Sequence, residues 1–326
     1  MFLRSFFFIA VLAGCSSDPF DINDRREQLE SNLLYKRVRS GSIEVIAPSG
    51  KVPEEDAVLL RRIFPWMEPI ASSVQSNDAL PLANTDEKRT LLFKKAVNTK
   101  TPILWAIRGG YGLTRIIQNF SKHSAHKILI GYSDITALHL LLSNHSHQKT
   151  IHGPVLIEAV REKDPQNWAL LAKMISQKSS FVYGGIKACS PVKASKIKGL
   201  LTGGNITLVT ASLKTIWEID AKDKIILLED VGSGYMVDRD IQHLLQSKVL
   251  HSAKAIIIGH LDIKGWDEDR IVKDLAKALP VPVFKCDFFG HGYKNYPWIY
   301  NAKAELRKKQ NNEWELFFEN DGVFEK

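Results

Sequence analysis

The sequence predicts an α/β protein organised as two domains. Three observations carry that reading. From residue 41 onward a short β-rich apolar run, a glycine-containing turn and an amphipathic helix recur as one phrase, and strands alternating with helices form parallel sheets covered on both faces. At 326 residues the chain exceeds what one hydrophobic core comfortably organises. Its 44 % hydrophobic and 25 % charged residues suit a packed, water-soluble body and exclude both a polytopic membrane protein and wholesale disorder.

Taken in order, Met1 to Gly14 reads as a short export signal, with a positive charge at Arg4, an apolar run from Phe6 to Leu12, and small residues at Ala13 and Gly14. That run would cover about a third of a hydrocarbon core roughly 30 Å thick, so it does not span one. Leu12-Ala13-Gly14-Cys15 resembles the bacterial lipobox. The resemblance implies cleavage before Cys15, acylation of its thiol and new amine, and a lipid-anchored protein in the periplasm; an ordinary first strand with an incidental cysteine is the alternative. Ser16 stands where Asp would imply retention at the inner membrane, so the outer membrane is favoured. Residues 16–40 are polar and charged and read as a tether.

Three repeats of the phrase organise the predicted N-terminal domain, residues 41–177. A strand at 43–47 leads through Pro48-Ser49-Gly50 to a helix opening near Pro53-Glu54-Glu55. A strand at 103–107 leads through Arg108-Gly109-Gly110-Tyr111-Gly112 to a helix carrying Ile116 and Ile117. A strand at 127–130 leads through Gly131-Tyr132-Ser133-Asp134 to a helix carrying Leu138, Leu140, Leu141 and Leu142. Functional groups in such sheets gather beyond the carboxyl ends of the strands, where all three turns fall. Between Lys178 and Lys198 the pattern loses its period and mixes Gly, Ser, Pro and Lys. That marks a crossover into a C-terminal domain, residues 178–326. There 225–228, 255–258 and 283–288 read as strands, a helix with Ile241, Leu244 and Leu245 lies between the first two, and 302–306 with 314–318 form a hairpin.

Lys and Arg exceed Asp and Glu by 44 − 36 = 8, which favours anionic partners. The densest basic cluster, Arg307-Lys308-Lys309, is flanked by Glu305 and Glu313, and without an aromatic-studded basic groove nucleic acid is not an expected partner. No C-x-x-C or H-E-x-x-H spacing occurs, which argues against zinc. Cys189 and Cys286 either pair in an oxidising compartment or lie separately buried, the commoner fate.

Gly131-Tyr132-Ser133-Asp134 sets a serine at a tight strand-to-helix turn, the position of a nucleophile elbow. Amides that follow it at a helix N-terminus are placed to meet a developing oxyanion. Ile135 occupies the place of the final glycine of G-x-S-x-G, and helix capping by Ser133 or Asp134 is the plainer reading. The turn from Arg108 to Gly112 offers a second oxyanion amide, or simply a tight connection. As a base, His291 stands between glycines in Phe289-Gly290-His291-Gly292, with His260 in a Gly-His pair as its rival. Glu229 and Asp230, at a strand end, are two carboxylates able to orient an imidazole.

These residues, in this order, resemble the LD-carboxypeptidase family of serine peptidases, which includes muramoyl-tetrapeptide carboxypeptidases and microcin C self-immunity peptidases. The likeness runs through Ile46-Ala47-Pro48-Ser49-Gly50, Asp86-Glu87-Lys88-Arg89, residues 108–112, 131–139, His152-Gly153-Pro154, 199–205, 228–232, Asp238-Arg239 and 289–292. It implies a flavodoxin- or Rossmann-like N-terminal domain and a mixed α/β, swivelling or barrel-like C-terminal domain, with the site at their junction and usually a homodimer. It also implies Ser133 as nucleophile, Glu229 as orienting acid, His291 as base, and the backbone amides of Gly110 and Asp134 as oxyanion donors. No metal or organic cofactor enters. The implied substrate is a murein tetrapeptide or muropeptide, from which terminal D-alanine is released. Gly232-Ser233-Gly234-Tyr235 lacks the acidic residue that often follows the first glycine, and Pro297-Trp298-Ile299-Tyr300 replaces a commoner Leu-Pro-Leu-Gly. Both departures bear on the pocket, where Trp298 is either a wall or, more simply, a core aromatic. The competing readings are a microcin-type activity on a peptide–nucleotide amide and a non-catalytic murein-binding lipoprotein.

Overall fold

A computed structural model describes residues 40–64, 80–120, 127–145, 149–161, 163–176 and 178–320, together with Leu34, Lys36 and Arg37. The predicted signal, Cys15 and most of the predicted tether lie outside the described residues. The first sheet holds β1 (Ile43–Ile46), β2 (Ile103–Ala106), β3 (Ile128–Gly131) and β4 (Ile151–His152), parallel and in that order. β2 and β3 are buried at every residue. That is why they read as unbroken apolar runs, the signature of parallel strands covered on both faces.

The chain then forms a closed seven-stranded barrel of β5 (Ser179–Ala188), β6 (Lys196–Asn205), β7 (Lys224–Ser233), β8 (Ala255–Lys264), β9 (Val283–Gly290), β11 (Lys303–Lys308) and β12 (Trp314–Asn320). β6 to β9 run parallel, and the β11–β12 hairpin with β5 closes the barrel antiparallel. A mixed α/β fold with a mostly parallel N-terminal sheet and a barrel-like C-terminal unit is therefore what the chain adopts. Between β9 and β11, β10 (Trp298–Ile299) returns to the first sheet and pairs antiparallel with β4, Trp298 opposite His152. Trp298 is fully buried and stacks on His152 with ring centroids 4.9 Å apart. It is a core aromatic.

Residues 178–198, expected as an irregular crossover, instead begin two long barrel strands. In β5 the buried side chains are Phe181, Tyr183 and Ile186, so the alternation skips a residue at Gly184-Gly185. Register against β12 slips at the same place, between Trp314 and Leu316. A bulge of this kind resets the period of two, which hid the strand from a pattern reading. Cys189 and Cys286 are free, Cys286 buried and Cys189 half-buried. No helix among the described residues is long and apolar enough to cross a membrane.

Candidate active site

All three glycine turns of the N-terminal sheet meet at one place. β3 ends at Gly131, Tyr132 is extended, and Ser133 opens a 3-10 turn that continues as the helix Thr136–His145. Ser133 has φ 62°, a left-handed conformation that costs an L-residue about 1–2 kcal/mol and that persists where function requires it. The turn after β2 lies directly against this serine. A Cβ at Gly109 would stand 2.8 Å from Ser133 Cβ and 3.1 Å from its Oγ, so only glycine fits. The Gly109 carbonyl accepts a hydrogen bond from Gly50 N at 3.0 Å. Across a trans peptide the next N–H faces the opposite way, so the turn after β1 braces the loop from behind and directs the Gly110 amide away from itself.

Two side chains fasten these turns. The Arg89 guanidinium, fully buried, donates to the carbonyls of Pro48 and, at 3.0 Å, Gly112, and pairs with Asp86. That explains the Asp86-Glu87-Lys88-Arg89 string as a clamp between the first and second turns. Asp134 is buried and its Oδ2 accepts from Leu113 N at 2.9 Å. Burial pushes its carboxyl up to about 6. Capping, the plainer reading of this motif, is thus real for Asp134, but on the neighbouring helix rather than its own.

The barrel supplies the remaining groups. His291 Nδ1 lies 2.6 Å from Glu229 Oε2. An ionised carboxylate only accepts, so Nδ1–H donates and the neutral ring keeps Nε2 as its acceptor. Burial by itself would lower the His291 pKa, but the charge and hydrogen bond of Glu229, aided by Glu158 and Asp230, outweigh it and hold it above the ordinary value. The Tyr132 ring, adjacent in sequence to Ser133, packs against the His291 ring at 4.8 Å between centroids. The His291 ring thus lies against the residue that precedes Ser133, and no hydrogen bond joins His291 to Ser133 in this structure. In ligand-free sites such bonds are commonly long and tighten on binding.

The rival residues are engaged elsewhere. Adjacent residues of a strand face opposite sides, and Asp230 turns from His291 to accept from Asn205 Nδ2 at 2.7 Å, Thr207 N at 2.9 Å and Val231 N at 2.8 Å. His260 packs its ring beneath Gly292, where a Cβ would lie 2.7 Å from His260 Cδ2. Among the described residues no group of three or more His, Cys, Asp or Glu is placed to hold a metal.

Glu158 and Lys163 were not foreseen. Glu158 is buried and accepts from Tyr132 OH at 2.9 Å. Lys163 Nζ lies 3.4 Å from Glu158 and donates to the carbonyls of His291 at 3.1 Å and Gly292 at 2.6 Å. Asn167 extends the strap, donating to Tyr293 O at 3.3 Å and accepting from Asn295 N at 2.8 Å. The loop that bears His291 is thereby fastened to Lys163 and Asn167, and Lys163 in turn pairs with Glu158, which holds the tyrosine of the elbow. Nothing local in the sequence marks this polar stretch, because its partners lie from 26 to 129 residues away.

A serine at a strand-to-helix elbow on one α/β unit, and from another a carboxylate-held histidine packed on the residue before that serine, are the elements from which serine hydrolases are built. Residues 43–153 match the LD-carboxypeptidase N-terminal domain and residues 198–306 the LD-carboxypeptidase C-terminal domain. A Rickettsia conorii (strain ATCC VR-613 / Malish 7) protein with a provisional carboxypeptidase name is 37 % identical over 282 residues, 82 % of this chain and 89 % of that one. The murein tetrapeptide carboxypeptidase of Pseudomonas aeruginosa is 30 % identical over 227 residues, 62 % of this chain and 71 % of that one. The fold is shared with the muramoyltetrapeptide carboxypeptidase from Oxalobacter formigenes, with TM-score 0.71, 23 % identity, and coverage of 85 % of this chain and 98 % of that one. It is also shared with the microcin C7 self-immunity protein MccF, with TM-score 0.69, 17 % identity, and coverage of 84 % and 95 %. The chain belongs to the LD-carboxypeptidase family, whose members are serine carboxypeptidases.

Proposed function

We propose that this protein releases the terminal D-alanine from murein tetrapeptide stems, with Ser133 as nucleophile, His291 as general base and acid, and Glu229 as the group that orients and charges the imidazole. The observation that carries this reading is the 2.6 Å contact of His291 with buried Glu229, on a ring that packs against the residue preceding Ser133. His291 Nε2 takes the Ser133 proton as Oγ attacks the carbonyl carbon joining meso-diaminopimelate to D-alanine. The oxyanion rests on the amides of Gly110 and Asp134, each donor being worth about 2.7–4 kcal/mol of barrier. The imidazolium returns its proton to the departing amine, and water then hydrolyses the acyl-enzyme by the same steps reversed. The substrate assignment draws on the Pseudomonas aeruginosa relative's name.

Incubating the purified chain with disaccharide tetrapeptide is expected to yield the tripeptide and free D-alanine by mass spectrometry. An untouched tetrapeptide alongside cleavage of a peptide–nucleotide amide would contradict it in favour of the microcin-type activity. We further propose that Cys15 carries the acyl anchor of a periplasmic lipoprotein on the outer membrane and that the protein works as a homodimer. Palmitate label lost in Cys15→Ala is the expected result for the anchor.

The strap at Glu158 and Lys163 yields a separate expectation. Lys163→Met releases the two carbonyls of the His291 loop, and a misplacement of this order costs about a hundredfold in rate. Steady-state kinetics are expected to show that loss in kcat with KM nearly unchanged. Lys163→Arg, which keeps the donors, is expected to restore most of it.

A further inference from the structure

A carboxypeptidase of the kind proposed above must recognise a negative charge close to the reacting atoms. In a peptide ending in a free acid, the carboxylate carbon lies three bonds beyond the scissile carbonyl carbon, or about 3–4 Å. Its receptor must therefore border the loop that receives the oxyanion. Most cations around the elbow are already neutralised. Arg89 and Arg115 pair with Asp86, Arg161 with Asp56, and Lys163 with Glu158.

Arg108 differs from these. It ends the segment after β2 and immediately precedes Gly109-Gly110, with its Nε 3.8 Å from the position a Gly110 Cβ would take. Its side chain is partly buried, and its hydrogen bond goes to the Lys51 carbonyl, through one Nη. No carboxylate pairs with it among the described residues. Removing a guanidinium from water without a counter-charge in direct contact is unfavourable, and burial, then the charge of Arg161, lower its pKa from the ordinary value against the smaller opposing pull of Asp56 and Glu55. The planar fork that remains is suited to a bidentate carboxylate.

We propose that Arg108 receives the terminal carboxylate of the substrate and so makes the enzyme a carboxypeptidase rather than an endopeptidase. This rests on the carboxypeptidase reading, and the test separates the two. Two substrates are compared, a tetrapeptide stem ending in free D-alanine and the same stem ending in D-alanine amide. The wild-type chain is expected to prefer the free acid by about a hundredfold in kcat/KM, the usual worth of a charge-assisted pair. Arg108→Met should abolish that preference, mainly through KM on the acid, while its rate on the amide stays within a few-fold of wild type. Arg108→Lys should keep part of the preference, and Lys51→Met, at the neighbouring cation, all of it.

Calorimetry with the Ser133→Ala background reads the same discrimination as binding, independent of turnover. Undiminished preference in Arg108→Met, or its loss in Lys51→Met instead, would overturn the assignment while leaving the carboxypeptidase reading intact. A wild-type chain that cleaves neither stem overturns both.

Discussion

Ser133→Ala is expected to abolish turnover of the tetrapeptide, lowering kcat by on the order of 10⁴- to 10⁶-fold, without loss of the fold. The hydroxyl has no hydrogen-bond partner among the described residues, so its removal leaves no buried donor or acceptor unsatisfied. Ser133→Gly gives the sharper result. It also removes the nucleophile, but it relieves the φ of 62° and is expected to raise stability by about 1 kcal/mol. Chemical denaturation beside a tripeptide assay checks both. A glycine variant less stable than wild type would mean that the strain at this elbow is not local to Ser133.

Glu229→Gln is expected to lower kcat by about 10³- to 10⁴-fold and to shift the pH profile as well. A general base works when neutral, so the rate rises as pH increases through the His291 pKa. Glu229 holds that value above the ordinary one. A neutral amide removes the negative charge, and the acid limb of kcat/KM should move to lower pH even as the plateau collapses. The collapse has a structural cause. Glu229 is fully buried, its Oε1 has no hydrogen-bond partner among the described residues, and Oε2 is given to His291. An amide NH₂ is therefore either buried without an acceptor or turned toward Nδ1, where it fixes the wrong tautomer. A limb that stays in place would show that the imidazole's charge is set elsewhere.

The parts of this site that were legible in the sequence are those whose physics is local. β2 and β3 announce themselves because both faces are covered, and the glycine turns after them because tight strand-to-helix connections need that freedom. His291 stands out through its flanking glycines, whereas the choice between Glu229 and Asp230 turns on which face of β7 looks at the imidazole. What stayed hidden depends on distant partners or broken periodicity. The Gly184-Gly185 bulge disguises β5. Arg89 looks like any helix-surface arginine until its contacts with Pro48 and Gly112 are seen. Glu158 and Lys163 carry no pattern at all, although they tie the histidine loop to the elbow.

Treating the full chain with a fluorophosphonate and mapping the adduct by peptide mass spectrometry asks most directly whether Ser133 is a nucleophile driven by His291. One adduct on Ser133, absent from the His291→Ala variant, is the expected result. Label on a different serine, or an unlabelled Ser133 in a preparation that still trims the tetrapeptide, would contradict it.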